Sequence, residues 1–213
     1  MVLIDAFQYA AARSEELFNA FGQHLLLVAV ALGIGIAVCV PLGILTSRSR
    51  TASFAILNSV NGLRVIPSIA ILFLAIPYFG LSFTSAALAL TLLALPPILI
   101  NTDAAFRTLD AAVKEAAFGM GMTARQVLWR VEFPLALPVI VAGIRTATIE
   151  VIASATLAAF IGGGGLGIYI TRGFALYDIS ILLVGAIAVA LLALTAELVL
   201  GGLARMVRVP NQV

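Results

Sequence analysis

Three side-chain types that often perform chemistry occur once each in this chain: Lys114, Cys39 and His24. A phosphate-binding loop needs Gly-Lys-Ser/Thr behind a glycine-rich turn. Lys114 instead follows Val113 and precedes Glu115, so the chain holds no nucleotide by that device. A single cysteine excludes an internal disulfide or thiolate cluster. A single histidine excludes metal sites built from His or Cys pairs, and no Gly-x-Ser-x-Gly nucleophile turn accompanies it. His24 stands at the edge of an apolar run, the ordinary place for an interfacial residue at a helix end. The run Gly162-Gly163-Gly164-Gly165-Leu166-Gly167 could cradle a phosphate with its N–H groups. Placed directly after an apolar stretch, it is read instead as a turn, or as a close approach of backbone to a neighbouring helix or pore.

The remaining candidates are charges inside apolar stretches. Arg145 and Glu150 interrupt one such stretch, and Arg64 interrupts another. Each costs about 2.5–3.5 kcal/mol at the centre of a bilayer, so each must face protein or a polar path. Five residues apart, Arg145 and Glu150 stand about 140° apart around a helix. They are not the favoured i,i+4 pair and should reach different partners. Two roles are open to them: lining or gating a solute path, or forming interhelical pairs that lock a bundle. Direct capture of a cation is disfavoured by Arg145, and Trp129, the one tryptophan available for an aromatic cage, lies in a polar loop. The small residues Ser154, Ala155, Ala158 and Ala159 suit close helix packing.

The elements that position these residues follow from composition. Of 213 residues, 62% are hydrophobic and 10% charged, against about 25% charged in a soluble domain. Such a chain needs an apolar solvent around its helices. Uncharged or nearly uncharged runs over 24–46, 52–79, 82–102, 134–161 and 179–204 are each long enough to cross a bilayer at about 20 residues per span. The second is interrupted near Asn61-Gly62-Leu63-Arg64, and Tyr78 to Ser82 turns the chain into the third. The expectation is an all-α, polytopic bundle of about five spans over 24–208. Residues 1–23 form an amphipathic extracytoplasmic lead-in rather than a signal peptide, because Asp5, Glu15 and Glu16 replace a basic start. Residues 209–213 form a short tail.

Lys and Arg favour cytoplasmic loops. Placing 103–133 inside puts Arg48, Arg50, Arg107, Lys114, Arg125, Arg130, Arg205 and Arg208 in the cytoplasm, leaving only Arg13 and Arg172 outside. The N-terminus then faces out and the C-terminus in. Within 103–133 two short helices are expected. The first runs from Asp103, suited to a first turn, to Gly119, and Gly119-Met120-Gly121 breaks it. The second opens at the capping box Thr123-Ala124-Arg125-Gln126, shows one apolar face through Val127, Leu128 and Val131, and ends at Pro134. Such a helix fits a groove on a soluble partner or lies on lipid headgroups.

The loop resembles the EAA loop of bacterial ABC importers. Glu115-Ala116-Ala117, three residues, Gly121, nine residues, Val131, and then Phe133-Pro134 match that family's spacing throughout. Val131 and Phe133 replace the usual isoleucine and leucine. The resemblance implies a type I, methionine-importer-like permease fold, with Glu115, Ala116, Ala117, Gly121, Val131 and Pro134 coupling to an ATPase. Arg64 through Ala70, with Pro67 and Ser68, and Gly143 through Gly167 are similar to permeases for glycine betaine, choline and carnitine. Permeases for amino acids or sulfonates are the neighbouring alternative, and an ion-driven secondary transporter is a more distant one. The implied partners are a cytoplasmic ATPase dimer, which binds ATP and Mg, a second permease copy or paralogue, a separate extracytoplasmic binding protein and the lipid bilayer. No cofactor in this chain and no nucleic acid are implied. The implied location is a prokaryotic inner membrane, and the chain is expected to catalyse no covalent reaction.

Overall fold

The computed structural model describes residues 2–207. Its helices are α1 (Val2–Ala12), α2 (Ser14–Ser47), α3 (Arg50–Leu63), α4 (Ser68–Phe79), α5 (Phe83–Arg107), α6 (Ala111–Gly119), α7 (Ala124–Val127), α8 (Phe133–Ser154), α9 (Gly167–Leu176) and α10 (Ile179–Val207). A π-helical turn over Leu128–Glu132 joins α7 to α8, and a 3-10 turn over Leu157–Ile161 follows α8. Among the described residues, α2, α5, the α7–α8 run and α10 are long and apolar enough to cross a membrane, and α3 with α4 makes a fifth crossing if the bent pair is one span.

The centre of the bundle is α5, packed between α2 and α8, with α3 and α4 on one flank and α10 with α9 and α1 beyond α8. Its buried face runs through Leu90, Ala94, Ile98 and Leu99, all at 0% exposure. Small residues let the backbones approach. A Cβ on Gly43 would meet Thr102 Cβ at 2.7 Å, and one on Gly143 would meet Asn101 Cβ at 2.6 Å and the Pro97 carbonyl at 2.8 Å. Close backbone contact of this kind is how helices associate where lipid supplies no hydrophobic drive. Ala155 and Ala158, fully buried, serve the same purpose.

Several boundaries differ from the sequence reading. Residues 14–23 are not a separate lead-in; they form the first turns of α2, whose 34 residues span about 50 Å and overshoot a hydrocarbon core of about 30 Å. The helix α1 alone precedes it and packs on α10. The second crossing breaks at 64–67, where α3 and α4 meet at a 92° bend. Pro67 lacks an N–H and disfavours helical geometry at Ile66, which ends α3 just before it. The helix α9 was not expected. Asp103 does not open the loop's first helix; it lies in the last turns of α5, 2% exposed. Asp110 caps α6 instead, accepting from the Ala112 N–H at 2.9 Å.

The Thr123 capping box is present, with the Thr123 N–H 2.8 Å from Gln126 Oε1 and the Gln126 N–H 3.4 Å from Thr123 Oγ1. Pro134 does not terminate that helix. The chain continues into α8 because the π-turn widens the coil, so that the Phe133 N–H reaches back to the Leu128 carbonyl. A proline ring in regular α geometry would strike the carbonyl four residues earlier, and the wider turn moves that carbonyl away. Arg208 and the tail at 209–213 lie outside the described residues.

Candidate functional site

The segment from Leu109 to Glu132 carries the EAA spacing, and the fold gives its residues distinct tasks. On α6, Ala117 is 1% exposed and Lys114 is turned toward the bundle, whereas Val113, Glu115, Ala116 and Phe118, and Met120 at its C-cap, are exposed. Gly121 has φ +81 with nothing within 4 Å of a built Cβ. Its task is therefore backbone conformation: only glycine adopts the left-handed region freely, and the turn lets α6 end as α7 begins. Val131 is half-buried in the π-turn, and Pro134 is exposed at the head of α8.

Two buried carboxylates behind this segment escaped the sequence reading. Glu132, 3% exposed, accepts from both guanidinium nitrogens of Arg48, one of them at 2.9 Å. Lys114 Nζ lies 3.3 Å from the same carboxylate and donates to the Phe106 carbonyl at 3.4 Å. The Arg48 guanidinium and the Lys114 ammonium together neutralise the buried Glu132 carboxylate. Asp103 accepts from Arg107 twice at 3.1 Å and from Ser53 Oγ at 3.1 Å. Arg107 also donates to the Thr46 carbonyl at 3.3 Å. The two acids thus tie together the ends of α2, α3, α5 and α8 at the end of the bundle that carries α6.

The charges at membrane depth are arranged otherwise. Arg145 forms a two-pronged pair with Glu197 of α10, with Nε at 2.9 Å from Oε2. Glu150 makes no hydrogen bond or ion pair among the described residues. It lines, with Arg145, Glu197 and Thr146, an open pocket of about 560 Å³ between α8 and α10. The expectation that Arg145 and Glu150 have different partners holds for Arg145. Arg64 caps α3 and is exposed, as is Pro67, and Ser68 is half-buried at the start of α4. The structure does not bring this group to Arg145 and Glu150.

His24 is not interfacial. It is 0% exposed, with Nε2 3.1 Å from the Ile152 carbonyl and Nδ1 accepting from the Leu166 N–H at 3.3 Å. An acceptor Nδ1 assigns the proton to Nε2, which donates to Ile152. The neighbouring Gln23 accepts from the Gly165 N–H at 3.3 Å. The glycine run therefore lies against α2, and a Cβ on Gly164 or Gly165 would strike Gln23 or His24. Both expectations for that run are met: it turns the chain between the 3-10 turn and α9, with Gly162, Gly164 and Gly165 at positive φ, and its backbone lies close against α2.

A bundle of apolar crossings with an exposed helical segment braced between two of them is the frame of a polytopic membrane subunit. Residues 29–209 match the family model "Binding-protein-dependent transport system inner membrane component", and the chain belongs to that family. The carnitine transport permease protein OpuCB of Listeria monocytogenes is 45% identical over 181 residues, covering 85% of this chain and 83% of that protein. The glycine betaine/carnitine/choline transport system permease protein OpuCB of Bacillus subtilis is 42% identical over 185 residues, covering 87% and 85%. In fold, the chain matches the inward-facing MetNI methionine ABC transporter at a TM-score of 0.80 and 24% identity, over 91% of this chain and 96% of that one. The secondary-transporter alternative is thereby set aside, and the type I importer permease fold stands.

Proposed function

We propose that this chain moves a quaternary-amine compatible solute such as glycine betaine, choline or carnitine across a prokaryotic cell membrane. A separate binding protein delivers the solute, and an ATPase dimer that binds ATP and Mg supplies the energy. The observation that carries the coupling half of this reading is the orientation of α6. Lys114 and Ala117 anchor its inner side, which leaves Glu115, Ala116, Phe118 and Met120 projecting from the bundle. Exposed apolar side chains beside a charge suit a groove on a soluble partner. The solute half rests on what the two OpuCB relatives are named for.

Orientation is part of the proposal. The end of the bundle bearing α6 also bears Arg48, Arg50, Arg107, Arg125, Arg130 and Arg205 and is assigned to the cytoplasm. The opposite end bears Arg13 and Arg172, both set against Glu16. Two copies of the chain, or this chain and a paralogue, face each other around the path. ATP binding closes the ATPases, and the α6 helices carry that closure into opening toward the outside. Glu150 lines the path from the pocket between α8 and α10, the Arg145–Glu197 pair locks those helices, and Arg64, Pro67 and Ser68 place a second gate at the α3–α4 bend.

The test is uptake by proteoliposomes holding the permease, its ATPase and its binding protein. ATP-dependent accumulation of radiolabelled choline or glycine betaine is expected. Accumulation of methionine or a sulfonate, with no quaternary amine carried, would overturn the assignment.

A further inference from the structure

The coupling helix has one charged tether to the spanning helices among the described residues, and it runs through the chain's only lysine. The helix α6 packs chiefly on α7 and the π-turn, the first part of the α7–α8 run, and not on the body of α2, α5 or α8. Its Lys114 reaches Glu132, the last residue of the π-turn, at 3.3 Å, and the Phe106 carbonyl of α5, at 3.4 Å. Glu132 is gripped in turn by Arg48, the residue that caps α2. A two-pronged guanidinium–carboxylate pair fixes direction as well as distance. Glu132 closes the π-turn, where the regular i→i−4 bonding of a helix is interrupted and a change of direction is easiest.

We propose that Glu132, with Lys114 and Arg48, is a positioning clamp that converts displacement of α6 into movement of α2 and α8. The proposal rests on the reading that α6 docks an ATPase. Glu115 and Lys114 are neighbours in sequence with opposite tasks, the first facing the partner and the second facing the bundle. When the partner shifts α6, Lys114 pulls on Glu132. The π-turn yields, and Arg48 carries the same displacement to the end of α2. Without the tether α6 can follow the ATPase while the crossings stay behind. The clamp contacts no solute, so its loss uncouples hydrolysis from transport rather than weakening solute binding.

Lys114 variants give the cleanest test, because the buried Glu132 keeps Arg48 as a partner. The experiment compares wild type, Lys114→Met and Lys114→Arg in the reconstituted complex with ATPase and binding protein. It measures ATPase retention by size exclusion, ATP hydrolysis, and solute carried per ATP. Lys114→Met should retain the ATPase and its hydrolysis while solute carried per ATP falls at least about fivefold. Lys114→Arg should restore the ratio. An unchanged ratio in Lys114→Met overturns the clamp, and so does loss of the ATPase from that variant, which would make Lys114 a docking residue. Failure of the wild-type chain to hold the ATPase overturns the docking reading itself, and the clamp with it.

Discussion

At the scale of single residues, the charges inside the bundle divide into those that are neutralised and one that is not. Arg145 is locked to Glu197, whereas Glu150 faces an open pocket without a partner among the described residues. Removing one member of an interior pair leaves the other uncompensated, whereas removing both is often close to neutral. Arg145→Leu should therefore lower the unfolding temperature, and Arg145→Leu with Glu197→Leu should recover most of the loss. Thermal unfolding in detergent checks both. Glu150→Gln should leave unfolding unchanged and lower solute uptake, measured in the same proteoliposomes. That an interior charge needs a partner was legible from its surroundings alone. Which partner was not, because Glu197 lies 52 residues beyond Arg145 and Arg48 lies 84 residues before Glu132. Local bonds were easier: the Thr123–Gln126 cap depends on residues three apart.

At the scale of elements, the apolar runs located the crossings, but hydropathy marks where a membrane ends and not where a helix does. Hence α2 extends through 14–23, and the α7–α8 run passes straight through Pro134. The helix α9, at ten residues, was too short to register as a span and followed a glycine run that suggested only a turn. Packing between elements rests on close approach. Gly143→Leu would force a side chain into Asn101 and the Pro97 carbonyl. The expected loss is about 3 kcal/mol, the upper range for overpacking, read as a lower melting temperature and a smaller monodisperse fraction. His24→Phe keeps an aromatic ring in place but leaves the Ile152 carbonyl and the Leu166 N–H without their buried partner. Each lost bond of that kind costs about 1–3 kcal/mol, so the variant should unfold at lower temperature and free the glycine turn to exchange its amide hydrogens faster.

At the scale of the whole molecule, the bundle has two unlike ends. One carries α1, α9 and the glycine turn, stapled to α2 by Gln23 and His24. The other carries α6 and the paired acids Asp103 and Glu132, which bind the ends of four crossings into one block. That asymmetry is what a membrane subunit driven from one side requires: a rigid end to receive motion, and helices long enough to carry it. The EAA spacing was legible in the sequence because its residues lie close together in the chain. The block behind it was not, because it is assembled from residues far apart. The most direct measurement of the central claim is retention of the proposed ABC ATPase partner, co-expressed with the permease, on the purified permease, comparing wild type with Glu115→Arg. Glu115 is exposed and bonds to nothing among the described residues, so the variant should insert and fold normally. The account predicts that the ATPase co-purifies with wild type and is lost from Glu115→Arg. An ATPase held equally by both would contradict it, because the partner would then dock elsewhere and α6 would be a surface helix.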